Sequence, residues 1–144
     1  MQRRGFLKFA AAALALLPLR ALAAIWNKPA FDSTATAGAL QGLGIAGSTP
    51  SDAIDLVAPQ LAENGAIVQI EVRSRVPDTD AIAILVEKNP TPLIANFMFS
   101  NGAEPYVITR IKMAESSDLT AIVRAGGKYY STSRKVEVAL GGCG

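Results

Sequence analysis

From Ile54 to Leu140 the chain keeps returning to one pattern, a short segment of alternating apolar and polar residues closed by turn chemistry. The clearest case is Ala66–Arg75. There Ala66, Val68, Ile70 and Val72 fall on one side, and Ile67, Gln69, Glu71 and Arg73 on the other. A period of two marks a strand with one buried face. Comparable segments are Ile54–Ala58, Ala81–Glu87, Leu93–Phe99, Tyr106–Met113, Leu119–Ala125, Lys128–Thr132 and Lys135–Leu140. Between them stand Pro59, Glu63-Asn64-Gly65, Pro77-Asp78-Thr79-Asp80, Asn89-Pro90-Thr91-Pro92, Asn101-Gly102 and Gly126-Gly127, the residues that tight turns select. Seven or eight short strands at roughly 8–12-residue spacing predict an all-β fold, an immunoglobulin-like antiparallel β-sandwich. At 144 residues, with no repeat or low-complexity linker, the chain suits one domain.

Ahead of the strands, Phe31–Leu43 has helical character. Asp32, Ser33 or Thr34 can cap it, Ala35, Ala39, Leu40 and Leu43 share a face, and Gly42, Gly44 and Gly47 end it. A short N-terminal helix is therefore expected.

Residues 1–23 read as a secretory signal rather than as part of the fold. Arg3, Arg4 and Lys8 precede the apolar run Phe9–Leu17, and Ala21-Leu22-Ala23 offers a small-x-small cleavage site. Pro18 and Arg20 end the apolar run short of the ~20 residues of a spanning helix, so no membrane attachment is expected after cleavage. The leader also explains the charge. Four of the 14 Lys and Arg residues lie in the first twenty positions, leaving 10 against 12 Asp and Glu. The basic balance belongs to targeting and gives no reason to expect a nucleic-acid partner. Arg3-Arg4-Gly5-Phe6-Leu7-Lys8 resembles the twin-arginine export signal, with Gln2 where Ser or Thr is usual. That resemblance implies export in the folded state, to the periplasm.

The chain has no histidine, which removes histidine bases, histidine metal ligands and Ser-His or Cys-His pairs. Its single cysteine excludes an internal disulfide and a CxxC site. That cysteine sits in Gly141-Gly142-Cys143-Gly144, one residue from the last position of the sequence. A lone cysteine is usually a small buried hydrophobe, but this one is flanked by glycines, with little apolar area to repay ordering. No Lys, Arg or His stands beside it to favour the thiolate, and the Gly144 carboxylate disfavours it. Activation must then come from a partner, which suits a carrier better than an enzyme. Gly141 and Gly142 give the arm freedom and a narrow profile, and three extended residues reach about 10 Å. Asp78 and Asp80 read as solvated turn carboxylates, not a calcium loop, and Arg110 and Lys112 as one polar strand face. Trp26 suits either the leader or a subunit contact.

Several stretches together carry a family resemblance: the twin-arginine leader, Ala58–Ala66, Val86–Leu93, Thr109–Ala114 and Val136–Gly144. The chain resembles SoxY, the sulfur-carrying subunit of the periplasmic thiosulfate-oxidising (Sox) system. The resemblance implies a carrier domain over residues 24–140 and a flexible arm over 141–144, with sulfur held covalently on Cys143 and Gly141, Gly142 and Gly144 supplying freedom. No cofactor or metal is expected on this chain beyond sulfur adducts of Cys143. The implied partners are a SoxZ-like small β subunit forming a heterodimer, a c-type cytochrome complex, a manganese hydrolase and a molybdenum-haem sulfur dehydrogenase. Family tails commonly end Gly-Gly-Cys-Gly-Gly, and this sequence lacks the final glycine. The competing reading from the residues alone is an exported structural or adhesive sandwich cross-linked through its tail cysteine.

Overall fold

The computed structural model describes residues 26–139. Two short helices, α1 (Lys28–Asp32) and α2 (Thr36–Gly42), precede nine strands. These are β1 (Thr49–Pro50), β2 (Ile54–Val57), β3 (Leu61–Ala62), β4 (Val68–Ser74), β5 (Thr79–Val86), β6 (Leu93–Met98), β7 (Tyr106–Ile111), β8 (Ser117–Ala125) and β9 (Lys128–Val138). One sheet runs β1-β9-β8-β5-β6, with β3 also on β9, and the other runs β2-β4-β7. The two sheets pack as the expected sandwich.

The alternation read from the sequence sets the core. Val68, Ile70 and Val72 of β4 and Ile54 and Leu56 of β2 face Ile82, Ile84 and Val86 of β5, Leu119, Ala121 and Val123 of β8, and Val136 of β9. Each of the Val, Ile and Leu side chains contributes about 1.5–3 kcal/mol by leaving water. Gln69, Glu71 and Arg73 take the outer face, as their alternation requires. Gly126 and Gly127 have positive φ and turn the β8–β9 hairpin, and Asn101 and Gly102, also at positive φ, turn the chain from β6 in one sheet to β7 in the other, through the left-handed region that Asn and Gly tolerate.

Three expectations need correction. First, the helical segment is two helices. Ser33 is the N-cap of neither; its Oγ accepts the Ala35 N–H and donates to the Ala35 carbonyl, and this local loop breaks the run. The cap is Asn27, whose Oδ1 accepts from Ala30 N–H while its Nδ2 donates to the Gly42 carbonyl, tying both helices together. Gly42 permits that approach, since a Cβ there would lie 2.7 Å from the Ala30 Cα. Second, the two segments expected over Lys128–Thr132 and Lys135–Leu140 join in the one strand β9, Lys128–Val138, because the polar stretch Ser131–Arg134 pairs along β8 without interruption; residue 140 lies outside the described residues. Third, the pairing is not purely antiparallel, for β1 and β3 both run parallel to β9.

The helices form a layer of their own. Ala30, Ala39 and Ile45, with Phe31, Leu40 and Leu43, cover Ala83, Leu85, Leu93 and Ile122 on the outer face of the larger sheet. This explains why β5 is buried at every position from Ala81 to Val86. A strand covered on both faces loses its alternation.

Candidate functional site

The predicted attachment residue Cys143 and the arm residues Gly141, Gly142 and Gly144 lie outside the described residues, as do Arg3 and Arg4 of the leader. The structure does describe the root to which the arm is joined. Strand β9 carries the chain to Val138, and three separate contacts hold its final residues.

On one side β3 runs parallel to it, with Leu61 opposite Glu137 and Ala62 opposite Val138. Glu137 N–H donates to the Gln60 carbonyl at 2.9 Å, and Ala139 N–H to the Ala62 carbonyl at 3.0 Å. On the other side Val138 N–H donates to Ser116 Oγ at 2.8 Å. That bond takes over where the β8 ladder stops at Ser117 opposite Val136. Below, the Val136 side chain is fully buried and Val138 packs against the core edge.

Gly65 closes the root. A Cβ built there would stand 2.8 Å from Val138 Cγ1 and 2.5 Å from the Met113 carbonyl oxygen. Gly65 also accepts the Met113 N–H on its own carbonyl at 2.7 Å. The Met113 side chain is fully buried in the core. Asn89 then fixes the segment next to Met113, donating from Nδ2 to the Lys112 carbonyl and accepting the Ala114 N–H on Oδ1, at 2.7 and 2.8 Å.

These contacts join segments that are far apart in sequence. Gln60, Ala62 and Gly65 lie within Ala58–Ala66, Asn89 within Val86–Leu93, Lys112 to Ala114 within Thr109–Ala114, and Glu137 to Ala139 within the terminal stretch. Of the stretches that carry the resemblance, the four with described residues thus meet around the end of β9. Sequence reasoning placed Gly65 in a turn, and it attached no role to Ser116, Asn89 or the Leu61-Ala62 bridge. A two-residue parallel bridge has no periodicity to read. The co-occurrence of these stretches was the available signal.

The groups whose titration the structure displaces take no part in this root. Arg75 donates to Asp55 from Nε and Nη2 and holds that carboxyl below its usual range, while the same pairing raises Arg75. The hydroxyl of Tyr106 donates to Glu71, which raises the phenol. Asp80 accepts from Arg124 at 2.7 Å and raises it, so Asp80 is ion-paired rather than merely solvated. Among the described residues no group of three or more His, Cys, Asp or Glu is placed to hold a metal. Arg110 and Lys112 are exposed. Trp26 stacks on Phe31 with centroids 4.3 Å apart and remains largely exposed.

The fold and this root define a class of scaffold: an immunoglobulin-like sandwich that fixes the base of its own C-terminal segment. The family is more specific. A family model described as sulfur oxidation protein SoxY matches residues 43–143, a span that reaches the cysteine. The chain belongs to the SoxY family. Its structure is similar to that of the sulfur carrier protein SoxY from Chlorobium limicola f thiosulfatophilum, with 34% identity and a TM-score of 0.64. That match covers 71% of this chain and 93% of the other. Superoxide reductase (neelaredoxin) from Ignicoccus hospitalis matches with a TM-score of 0.54 and 19% identity, over 60% of this chain and 80% of the other, which shows a shared fold alone. Comparison with curated protein sequences finds no match.

Proposed function

We propose that this chain is a carrier of the Sox system that holds thiosulfate-derived sulfur covalently on Cys143 and presents it to partner enzymes. The observation that carries the reading is SoxY family membership over residues 43–143, with the Gly-Gly-Cys tail following closely on an anchored β9. The chain has no histidine, and no cationic side chain neighbours the cysteine in sequence, so it brings a thiol and a reach rather than a catalytic apparatus.

In the loading step the Cys143 thiol loses its proton and forms an S–S bond to the sulfane sulfur of thiosulfate. Two electrons leave to a c-type cytochrome partner. Water then cleaves the bond between the sulfane and sulfonate sulfurs on a manganese hydrolase, releasing sulfate and two protons and leaving a persulfide anion on Cys143. A molybdenum-haem dehydrogenase would then oxidise the remaining sulfane sulfur to a sulfonate, with three waters supplying oxygen, six protons released and six electrons passing to the haem partner, and a second hydrolysis would free the Cys143 thiol with sulfate. The metals belong to those partners, and a SoxZ-like β subunit pairs with this chain. Glycines flanking the thiol let it enter a narrow site without side-chain obstruction.

Intact-mass measurement of the exported protein tests the reading. Adducts of sulfur or thiosulfate mass that a reductant removes are the expected result. A reducible covalent dimer with no such adducts would favour a cross-linked structural domain instead. Export is tested separately. Replacing Arg3 and Arg4 together with lysine is expected to leave the protein in the cytoplasm with residues 1–23 attached, because lysine keeps the charge but not the twin-arginine pair. Unchanged periplasmic yield in that variant would remove the twin-arginine route.

A further inference from the structure

Little chain separates the end of β9 from the cysteine. Ala139, whose N–H is held by the Ala62 carbonyl, is four residues from Cys143, so their Cα atoms lie at most about 14 Å apart in any conformation. A thiol on so short a tether cannot enter a recessed site in another protein while the domain stays clear of it. Once that length is used up, the surface around the end of β9 must lie against the partner.

That surface has an apolar side. Segment 61–67 wraps the root: Leu61 lies opposite Glu137, Ala62 and Gly65 make the contacts with Ala139 and Val138 given above, and Ile67 follows. Leu61 is 55% exposed and Ile67 61%. Neither builds the core, which takes Ala62 and Val68 beside them. A single exposed apolar side chain means little, but two stand on the one segment that wraps the root. The flank beyond Ser116 differs, for there exposed Lys88 and Glu115 face each other at 3.9 Å. Glu137, opposite Leu61, is exposed and pairs with no cation among the described residues.

We propose, resting on the carrier reading, that Leu61 and Ile67 form a docking collar that seats on the lip of the channel through which a partner enzyme receives Cys143. The lip that fits is apolar, with a lysine or arginine set opposite Glu137. The same collar serves every enzyme that takes the arm into a recess, because each meets the same limit of reach.

Sulfate release from the loaded carrier by the manganese hydrolase tests the collar. Tetrathionate loads the thiol directly: the Cys143 thiolate displaces thiosulfate and keeps the thiosulfonate group, so no cytochrome step intervenes. With the carrier as varied substrate, Leu61→Asp and Ile67→Asp should each raise KM about tenfold and leave kcat unchanged, since the lost contact is shared by ground and transition states. Glu137→Gln should raise KM about threefold. Lys128→Ala, the same one-unit change of charge at the far end of β9, should leave KM unchanged. Melting curves and the rate at which iodoacetamide alkylates Cys143 should match the parent throughout, because these positions are exposed and the arm is intact. Two glycines inserted ahead of Gly141 add about 7 Å of reach and should cut the cost of Leu61→Asp to below about threefold. Parent-like KM in both aspartate variants, a cost undiminished by the longer arm, or loss of the SoxZ-like subunit from the aspartate variants on size exclusion would overturn the collar. A loaded parent that releases no sulfate would instead overturn the carrier reading beneath it.

Discussion

Cys143→Ser is expected to bring thiosulfate-dependent turnover, reconstituted with the partner proteins, down to background. Serine preserves size and polarity but cannot form the S–S bond on which loading depends. Folding should be untouched, because the core closes at Val136 and Val138, before the arm begins. The melting temperature should stay within the range of a neutral surface change, about ±0.5 kcal/mol in stability. The pairing of lost turnover with retained stability is the informative result. Turnover that persists in this variant would end the covalent-carrier reading.

Gly65→Ala should damage the same function from the opposite direction, leaving the thiol in place and disturbing its root. The added methyl would sit 2.5 Å from the Met113 carbonyl oxygen and 2.8 Å from Val138 Cγ1, so something must move. The backbone oxygen is held by the surrounding fold, and Met113 is fully buried, which makes Val138 the part that yields. Overpacking of this kind costs about 1–3 kcal/mol and should lower the melting temperature by several degrees. Amide hydrogen exchange should accelerate at Glu137 to Ala139, whose N–H groups bond to Gln60, Ser116 and Ala62. Turnover should fall even though free-thiol content is unchanged. Equal exchange at those amides in parent and variant would show that Gly65 does not hold the root.

Much of the sandwich was legible because one-sided burial writes itself into a strand. The alternation of Val68, Ile70 and Val72 against Gln69, Glu71 and Arg73 gave β4 its face directly. Asn101-Gly102 and Gly126-Gly127 marked their turns for a related reason, since positive φ restricts residue choice. The helix layer was only half legible. Ala39, Leu40 and Leu43 do pack inward, but the break at Ser33 depends on a side-chain hydrogen bond that has no period. The split drawn between Thr132 and Lys135 failed because β9 there presents polar residues on its exposed positions. Pairing, not hydrophobicity, keeps those residues extended. Cys143, the proposed attachment residue, stands out in the sequence by chemistry alone. The root does not, because Gly65 admits, and the Asn89 and Ser116 side chains bond to, the backbone of segments distant in sequence, which no local window contains.

The strand that leads to the arm has neighbours on both flanks: β8 along its length on one, β1 and β3 on the other. A partner that tugs the arm along the axis of this strand therefore loads its hydrogen bonds lengthwise and together, as a lap joint is loaded in shear. A strand held on one flank only could be peeled away, one bond at a time. Support on both flanks thus gives the domain mechanical resistance at the point where its partners would pull.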